Sequence, residues 1–305
     1  MSKKYAPVVL FTYNRLDETM QAVQALQKNS LAEESELIIF SDGARDKNDV
    51  SMVDSVRSYV GSITGFLKVS VIKRDQNYGL AQNVIFGVTE IIRKYGKVIV
   101  LEDDLVTSKN FLCFMNDALS HYKKNNNIFS ISGYSGNFPS LINYKYDTYL
   151  SYRPSSWGWA TWEESWCDID WDVKDFKEFV KNKKEVKKFN RGGIDMTRML
   201  KHQQDGKNNS WAIRWAYAMY KKDKFCIYPK VSKVQNMGFG KDATHCTGVN
   251  IYKTILDSDN KKQFIFTDEK NPDHIISKEF RYQYSYRNKF IKIMAMAWLN
   301  IVRKL

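Results

Sequence analysis

Glu102-Asp103-Asp104 is the segment of this sequence best suited to chemistry. It follows the apolar run Val98-Ile99-Val100-Leu101, which reads as a buried strand. It precedes Leu105 and the polar turn Thr107-Ser108-Lys109-Asn110. Three adjacent carboxylates at the end of a buried strand repel one another and lose solvation. A divalent cation removes both costs. Hard oxygen ligands suit Mg2+ or Mn2+, ions that keep substrate phosphates in their coordination shell. Taken alone, the triplet fits a solvated acidic loop equally well. The second segment runs Trp157-Gly158-Trp159-Ala160-Thr161-Trp162-Glu163-Glu164-Ser165-Trp166. Indole faces stack on sugar rings, and a glycine between two indoles lets a ligand approach the backbone. Glu163 and Glu164 then offer carboxylates to sugar hydroxyls, although some of the tryptophans must belong to the core. His245, in the Gly-containing stretch 240–245, is a ligand candidate only if that loop folds back over a metal and its phosphates.

These residues need a frame, and the first hundred positions supply one by alternating strand and helix. Val8-Val9-Leu10-Phe11 ends at Thr12-Tyr13-Asn14-Arg15, and Met20, Val23 and Leu26 follow at helical spacing. Leu37 to Phe40 ends at Ser41-Asp42-Gly43, with a helix expected near 50–60. Val69 to Ile72 ends at Asp75 to Gly79, and Leu80 to Tyr95 reads as a helix stopped by Gly96. Alternation of this kind predicts a parallel sheet covered on both faces, with ligands at the carboxyl ends of the strands. Four polar strand ends then converge on one crevice. Neither Gly-x-Gly-x-x-Gly nor a Walker loop follows the first strand, so a metal is the better partner for a diphosphate.

Beyond residue 108 a helix is expected over 110–123. A Lys-rich amphipathic helix is expected over 174–191, and another helix starts near Ser210. The 305 residues carry 47 Lys and Arg against 34 Asp and Glu, a net charge of +13. That balance suits polyanions such as phosphorylated substrates, anionic lipid or nucleic acid without choosing among them. The apolar stretch near the first residue is too short for a signal peptide or a membrane span. Cys113, Cys167, Cys226 and Cys246 are widely spaced and read as reduced thiols of a cytoplasmic protein.

In order, Val9 to Arg15, Ser41-Asp42-Gly43, Asn77 to Ala81, Leu101 to Leu105, Ser130 to Asn137, Gly158 to Trp166 and Ile227 to His245 resemble the glycosyltransferases of the GT-A fold. The resemblance is to bacterial proteins similar to the Golgi N-acetylglucosaminyltransferase that begins complex N-glycans, and it covers roughly residues 6 to 248. It implies an α/β GT-A fold: a mostly parallel central sheet flanked by helices, with a C-terminal helical extension. Residues 1–107 would form the nucleotide-sugar half and 108–250 the acceptor half, with 251–305 as the extension. It implies a metal-dependent, inverting transfer from a nucleoside-diphosphate sugar, UDP-linked in the first instance, to a saccharide or lipid-linked saccharide, with no nucleic-acid partner. Asp104 would ligate Mn2+ or Mg2+, with His245 closing over the diphosphate. Asp103 would lie near the ribose and Glu102 near the donor sugar. Thr12, Tyr13, Asn14, Arg15, Asp42, Asn77, Gly79 and Leu80 would hold the nucleotide. Trp157, Gly158 and Trp159 would line the sugars.

One departure concerns the base that takes the acceptor proton. The Golgi relative carries it in a Trp-Asp-Asp-Trp segment, whereas this chain has Trp211-Ala212-Ile213-Arg214-Trp215. Asp205, Glu163 and Glu164 are then the candidates. The stretch 287–305 places Phe290, Ile291, Met294, Trp298 and Ile301 on one helical side and Lys289, Lys292 and Arg303 on the other. Such a helix suits the surface of an anionic membrane on its cytoplasmic face, or else packs on the protein's own core or a second copy. Competing readings are a nucleotidyltransferase, which needs a Gly-rich loop where Phe11 to Leu16 has no glycine, an aspartate-nucleophile phosphatase, which needs an Asp-x-Asp absent from the first strand end, and a non-catalytic carbohydrate- or nucleotide-binding module.

Overall fold

The computed structural model describes residues 5–238 and 252–285, together with 287, 288, 290, 291 and 294. The four expected strands form one parallel unit: β1 (Val8–Thr12), β2 (Glu36–Ser41), β3 (Lys68–Lys73) and β4 (Lys97–Glu102). The helices α1 (Leu16–Gln27), α2 (Val50–Val60) and α3 (Gly79–Tyr95) connect them. Each helix buries one stripe. α1 buries Ala22, Val23 and Leu26, and α2 buries Val53, Val56 and Val60. α3 ends at Gly96, whose φ of +72° is a left-handed cap that suits glycine.

The chain continues through β5 (Leu105–Thr107), α4 (Phe111–His121), β6 (Ile128–Ser132), β7 (Thr148–Ser151), β8 (Trp159–Trp162) and α5 (Glu163–Trp166). Helices α6 (Phe176–Lys181), α7 (Lys183–Phe189), α8 (Met196–Gln204) and α9 (Trp211–Lys221) follow. Strands β9 (Phe225–Pro229) and β10 (Val234–Asn236) and helix α10 (His274–Gln283) complete the described elements. One sheet of eight strands has the order β3-β2-β1-β4-β8-β6-β9-β7. β8 runs antiparallel to β4 and β6, β7 runs antiparallel to β9, and the other pairs are parallel. The expected mixed α/β architecture, with a large and mostly parallel sheet flanked by helices, is therefore present. β5 pairs with β10 in a separate two-stranded ribbon immediately after the acidic triplet.

Two expectations change. The helix expected over 174–191 is broken in two, because the Asn182 side chain accepts hydrogen bonds from the backbone N–H of Lys184 and Glu185 and caps α7. The tryptophan block is a buried strand: Trp159, Ala160, Thr161 and Trp162 all lie inside the sheet. The expected amphipathic stretch 287–305 falls largely outside the described residues. No described helix is long and apolar enough to cross a membrane.

Candidate active site

The carboxyl ends of β1, β2 and β4 place three polar loops side by side, since Thr12 is registered with Ser41 and Phe11 with Glu102. Arg15 reaches across from the β1 loop. Its Nη2 donates to Oδ1 of Asp103 and lies 3.3 Å from Oδ2 of Asp104. The Tyr13 backbone N–H also donates to Asp103. Asp103 is buried and Asp104 is half-buried. Burial is the largest influence on Asp103 and raises its carboxyl to about 7 against the opposing pull of Arg15. Glu102 is raised by burial and then by the charges of Asp104 and Asp103. Asp104 is raised by burial, with Arg15 and Asn236 pulling the other way. The site thus crowds three acids, each raised toward its neutral form, around one guanidinium.

Asp104 is further enclosed by the ribbon. Met237 N–H donates to its carbonyl at 2.8 Å, and a side chain on Gly238 would collide with its carboxylate. Its Oδ1 is buried and has no hydrogen-bond partner. An orphaned carboxylate oxygen in a group of raised acids fits a cation. Among the described residues no three His, Cys, Asp or Glu side chains form a ready cage. A cation bound here would therefore complete its shell from water and phosphate, as hard divalent ions do.

On the β2 side, Asp42 is spoken for. Its Oδ1 accepts from the backbone N–H of Gly43 at 3.0 Å and of Tyr78 at 2.9 Å, and its Oδ2 accepts from Gly79 at 3.0 Å. It fastens the start of α3 to the end of β2, which leaves it a supporting rather than a free ligand-facing group. Asn77 Nδ2 donates to the Gly43 carbonyl at 2.8 Å, and a Cβ at Gly43 would strike the Gln76 backbone. Gly79 has φ +69°, and Leu80 is partly exposed on the first turn of α3. Tyr13 donates its hydroxyl to Asp49, and Asn14 Nδ2 lies 3.3 Å from the same carboxylate. Thr12 Oγ1 is buried at the end of β1 without a partner.

Sequence reasoning missed Arg74. Its guanidinium lies over Phe40 and Tyr78, 4.9 and 5.1 Å from their ring centroids. Nε donates to Asn83 at 3.2 Å, while Nη2 is buried and unpartnered. Its position just before the Asp75-to-Gly79 turn was the available signal. Asn236 to Gly238, which cover Asp104, were missed as individual residues although they lie within a matching stretch.

The tryptophan platform divides. Trp159 has no exposed surface, and its ring is packed by Trp166, Trp211 and Trp215, with centroids 5.4, 5.3 and 4.4 Å away. It has no face to offer a sugar, which corrects that expectation. Trp157 is half-buried and meets Tyr134 and Tyr252 edge-on at 4.9 and 6.2 Å. Gly158, at φ +56°, backs onto Val234 and Leu101 at positions where a side chain would not fit.

The carboxylates of α5 are also corrected. β8 runs antiparallel to β4, with Trp159 opposite Val100 and Trp162 opposite Lys97, and Glu163 N–H donates to the Gly96 carbonyl. Glu163 and Glu164 therefore lie beyond the amino end of β4. Glu102 ends the same strand, roughly 16 Å away at ~3.3 Å per residue, so neither glutamate can reach chemistry at the triplet. Asp205 follows α8, and its carboxylate lies 3.7 Å from Lys207 Nζ. His245 lies outside the described residues.

The sequence pattern of glycosyl transferase family 2 matches residues 8–181, more than half of the chain and the whole span from β1 to α6. The chain belongs to glycosyl transferase family 2. Its large mixed sheet flanked by helices is consistent with the GT-A fold of that family. Among solved structures, a mannosyltransferase from Pyrobaculum calidifontis in complex with GDP-Man and Mn2+ aligns at 10% identity over 72% of this chain and 70% of its own, with a TM-score of 0.41. Residues 1–349 of S. aureus TarS align at 14% identity over 52% of this chain and 47% of that one, with a TM-score of 0.35. The longer TarS structure aligns at 15% identity over 50% and 26%, with a TM-score of 0.34. The match thus spans about half of the shorter TarS chain and a quarter of the longer one. No curated protein matches the sequence.

Proposed function

We propose that this glycosyltransferase moves a sugar from a nucleoside-diphosphate donor, a UDP-sugar in the first instance, to a saccharide or lipid-linked saccharide, with inversion at C1 and in the service of surface-glycan synthesis. The observation that carries the reading is the buried Oδ1 of Asp104, unpartnered in a cluster of raised carboxylates at the carboxyl ends of the strands. Asp104, supported by Glu102, would hold Mn2+ or Mg2+. When bound, such an ion neutralises charge developing on the diphosphate leaving group.

The chain's own residues do the rest. Arg15 lies against Asp103 and Asp104 and would turn part of its fork toward phosphate oxygens, for which guanidinium geometry is suited. Thr12 Oγ1 and Arg74 Nη2, both buried without partners, would meet polar atoms of the nucleoside. Asp42 holds the Tyr78-Gly79 turn so that α3 begins beside that nucleoside. Trp157 would line the sugars. Asp205 is the remaining candidate for the base that takes the acceptor proton, on the loop that leads into α9. The basic stretch 287–305 supports contact with an anionic membrane at its cytoplasmic face, where a lipid-linked acceptor would be found.

The test is thermal stabilisation by a panel of nucleoside diphosphates with and without Mn2+, followed by transfer assays with nucleotide sugars. A ligand that binds only the native state raises the melting temperature. Stabilisation by one nucleoside diphosphate only in the presence of metal is the expected result. Metal-independent or absent stabilisation overturns the reading.

A further inference from the structure

A cavity of about 1070 Å3 opens between the chain that leaves β6, the end of β7 and helix α10. One of its walls, α10 with its flanking residues, lies beyond residue 181, where the family match stops. The floor is built from fixed polar groups. Gln283 is buried, its Nε2 donates to the Tyr134 hydroxyl at 2.8 Å, and Asn288 Nδ2 donates to its backbone carbonyl at 3.1 Å. Gly136 leaves the space that Gln283 Oε1 fills, since a Cβ there would collide with it. The aromatic rings of Tyr152, Tyr252 and Tyr282 give the walls an apolar face.

The charge of the lining is one-sided. Arg191, Lys253, Lys278 and Arg281 border the cavity, and Glu279 is its only carboxylate among the described residues. Glu279 already accepts hydrogen bonds from the hydroxyl and backbone N–H of Ser140, at 2.5 and 3.3 Å. Among the described residues no carboxylate pairs with Lys253, Lys278 or Arg281. Arg191 lies 4.0 Å from exposed Asp223, and its guanidinium is held 4.1 Å over the Tyr152 ring. A concave surface lined by charges of one sign concentrates their field and gathers ions of the opposite sign. A stacked guanidinium is held ready for carboxylate or phosphate.

A short chain of contacts links the cavity to the strand end that carries the acidic triplet. Tyr134 and Tyr252 belong to its lining, and both touch Trp157. Gly158, the next residue, lies against Leu101, which immediately precedes the acidic triplet. A ligand in the cavity therefore lies one indole away from the strand end that carries Asp104.

We infer that this cavity is the acceptor site and that the acceptor is an anionic saccharide, carrying carboxylate or phosphate, seated on Arg191, Lys278 and Arg281 with its reacting end directed past Trp157. The inference rests on the proposed transferase reading and adds the chemical class of the second substrate.

The experiment is a fluorescence and calorimetric titration of the full chain at low salt. The probes are a galacturonic acid trimer, a neutral galactose trimer of equal length, mannose 6-phosphate, and vesicles of phosphatidylglycerol. UDP with Mn2+ is titrated in parallel. The galacturonate trimer, mannose 6-phosphate or both should bind about tenfold or more tighter than the neutral trimer, the gain expected of one or two charge-assisted contacts. That preference should fade at high salt. The double variant K278E/R281E, altered only at exposed side chains, should lose the preference while binding UDP and Mn2+ like the wild type. The two acidic sugars separate carboxylate from phosphate, and either one supports the inference. Equal binding of charged and neutral sugars, an unaffected double variant, or binding to vesicles alone overturns it. If UDP with Mn2+ fails to bind the wild type, the transferase reading falls first. If UDP binds and the sugars are not distinguished, only the acceptor assignment falls.

Discussion

Nη2 of Arg15 lies 3.3 Å from Oδ2 of Asp104 while donating to Oδ1 of Asp103, so one guanidinium serves one buried and one half-buried carboxylate from a different strand end. The protein carries its own counter-ion at the position proposed for a metal. Removing one partner of such a group leaves charge uncompensated in a poorly solvated place. Arg15→Gln should therefore cost the metal-free protein about 3 kcal/mol in urea unfolding. Mn2+ should stabilise the variant more than it stabilises the wild type, because the competing cation is gone. Equal stability of the two proteins would show that the pair is energetically idle.

Asp104→Asn keeps the shape of the side chain and removes its charge. Metal-supported binding of a nucleoside diphosphate should fall at least about a hundredfold in calorimetry, the order of a lost charged contact in a buried site. The melting temperature without metal should hold or rise, since the substitution relieves repulsion among Glu102, Asp103 and Asp104. Unchanged affinity removes Asp104 from the metal site.

Two tryptophans only two positions apart should behave in opposite ways. Trp159→Ala empties a position enclosed by three indoles and should cost roughly 3–5 kcal/mol of stability. Trp157→Ala should leave unfolding nearly unchanged and reduce transfer while nucleotide affinity persists. Chemical denaturation and transfer assays on both variants check this, and a stable, inactive Trp159→Ala would reverse the assignment.

Glu163→Gln and Glu164→Gln should retain turnover within about twofold, as substitutions away from the site do, because both residues lie past the amino end of β4. Asp205→Asn should lower kcat by about a hundredfold or more, the order of a general base, and leave nucleoside-diphosphate affinity intact. Full activity in Asp205→Asn directs the search for the base elsewhere.

The pH response of the segment after residue 252 follows from a buried pair. Lys233 donates to Asp257, which also accepts from Asn110 at 3.0 Å. Burial alone would raise Asp257, but the hydrogen bonds from Lys233 and Asn110 carry its carboxyl below the ordinary value. Lys233 moves down too, because burial outweighs the attraction of Asp257. A depressed acid contributes stability above its unfolded pKa of ~3.9, and that contribution is lost as pH falls through the folded value. Hydrogen exchange around Lys233 and Asp257 should therefore quicken below about pH 4. Asp257→Asn should remove this response and cost about 3 kcal/mol at neutral pH by leaving Lys233 buried without its partner.

The parallel unit and its carboxyl-end crevice were legible because apolar runs of four or five residues, helical spacing and polar strand ends are local signals. Glu102 to Asp104 announced themselves through charge placed where burial was expected. What the sequence hid was decided by pairing partners. The block from Trp157 to Trp166 reads as a ligand platform until the antiparallel pairing of β8 with β4 turns Trp159 inward and carries Glu163 to the far edge. Asp42 looked ready for a ligand because nothing local shows that the backbone N–H groups of residues 43, 78 and 79 consume its carboxylate. Arg74 was overlooked because its value lies in two rings that flank it from different elements. The break at Asn182 was readable in principle, since asparagine competes with helix continuation.

The order of strands across the sheet also sets an order in time. β7 is formed by Thr148–Ser151, yet among the described strands its only neighbour in the sheet is β9, which begins at Phe225. As the ribosome releases the chain, the parallel unit can assemble once residue 102 has emerged. β7 must then wait while residues 152–224 are synthesised, with its edge open and ready to pair with the wrong strand. A chain ending near residue 181, where the family pattern ends, would contain every described strand of this sheet except β9. Such distant pairings slow folding, so the period before Pro229 appears leaves the edge of β7 open to wrong pairing.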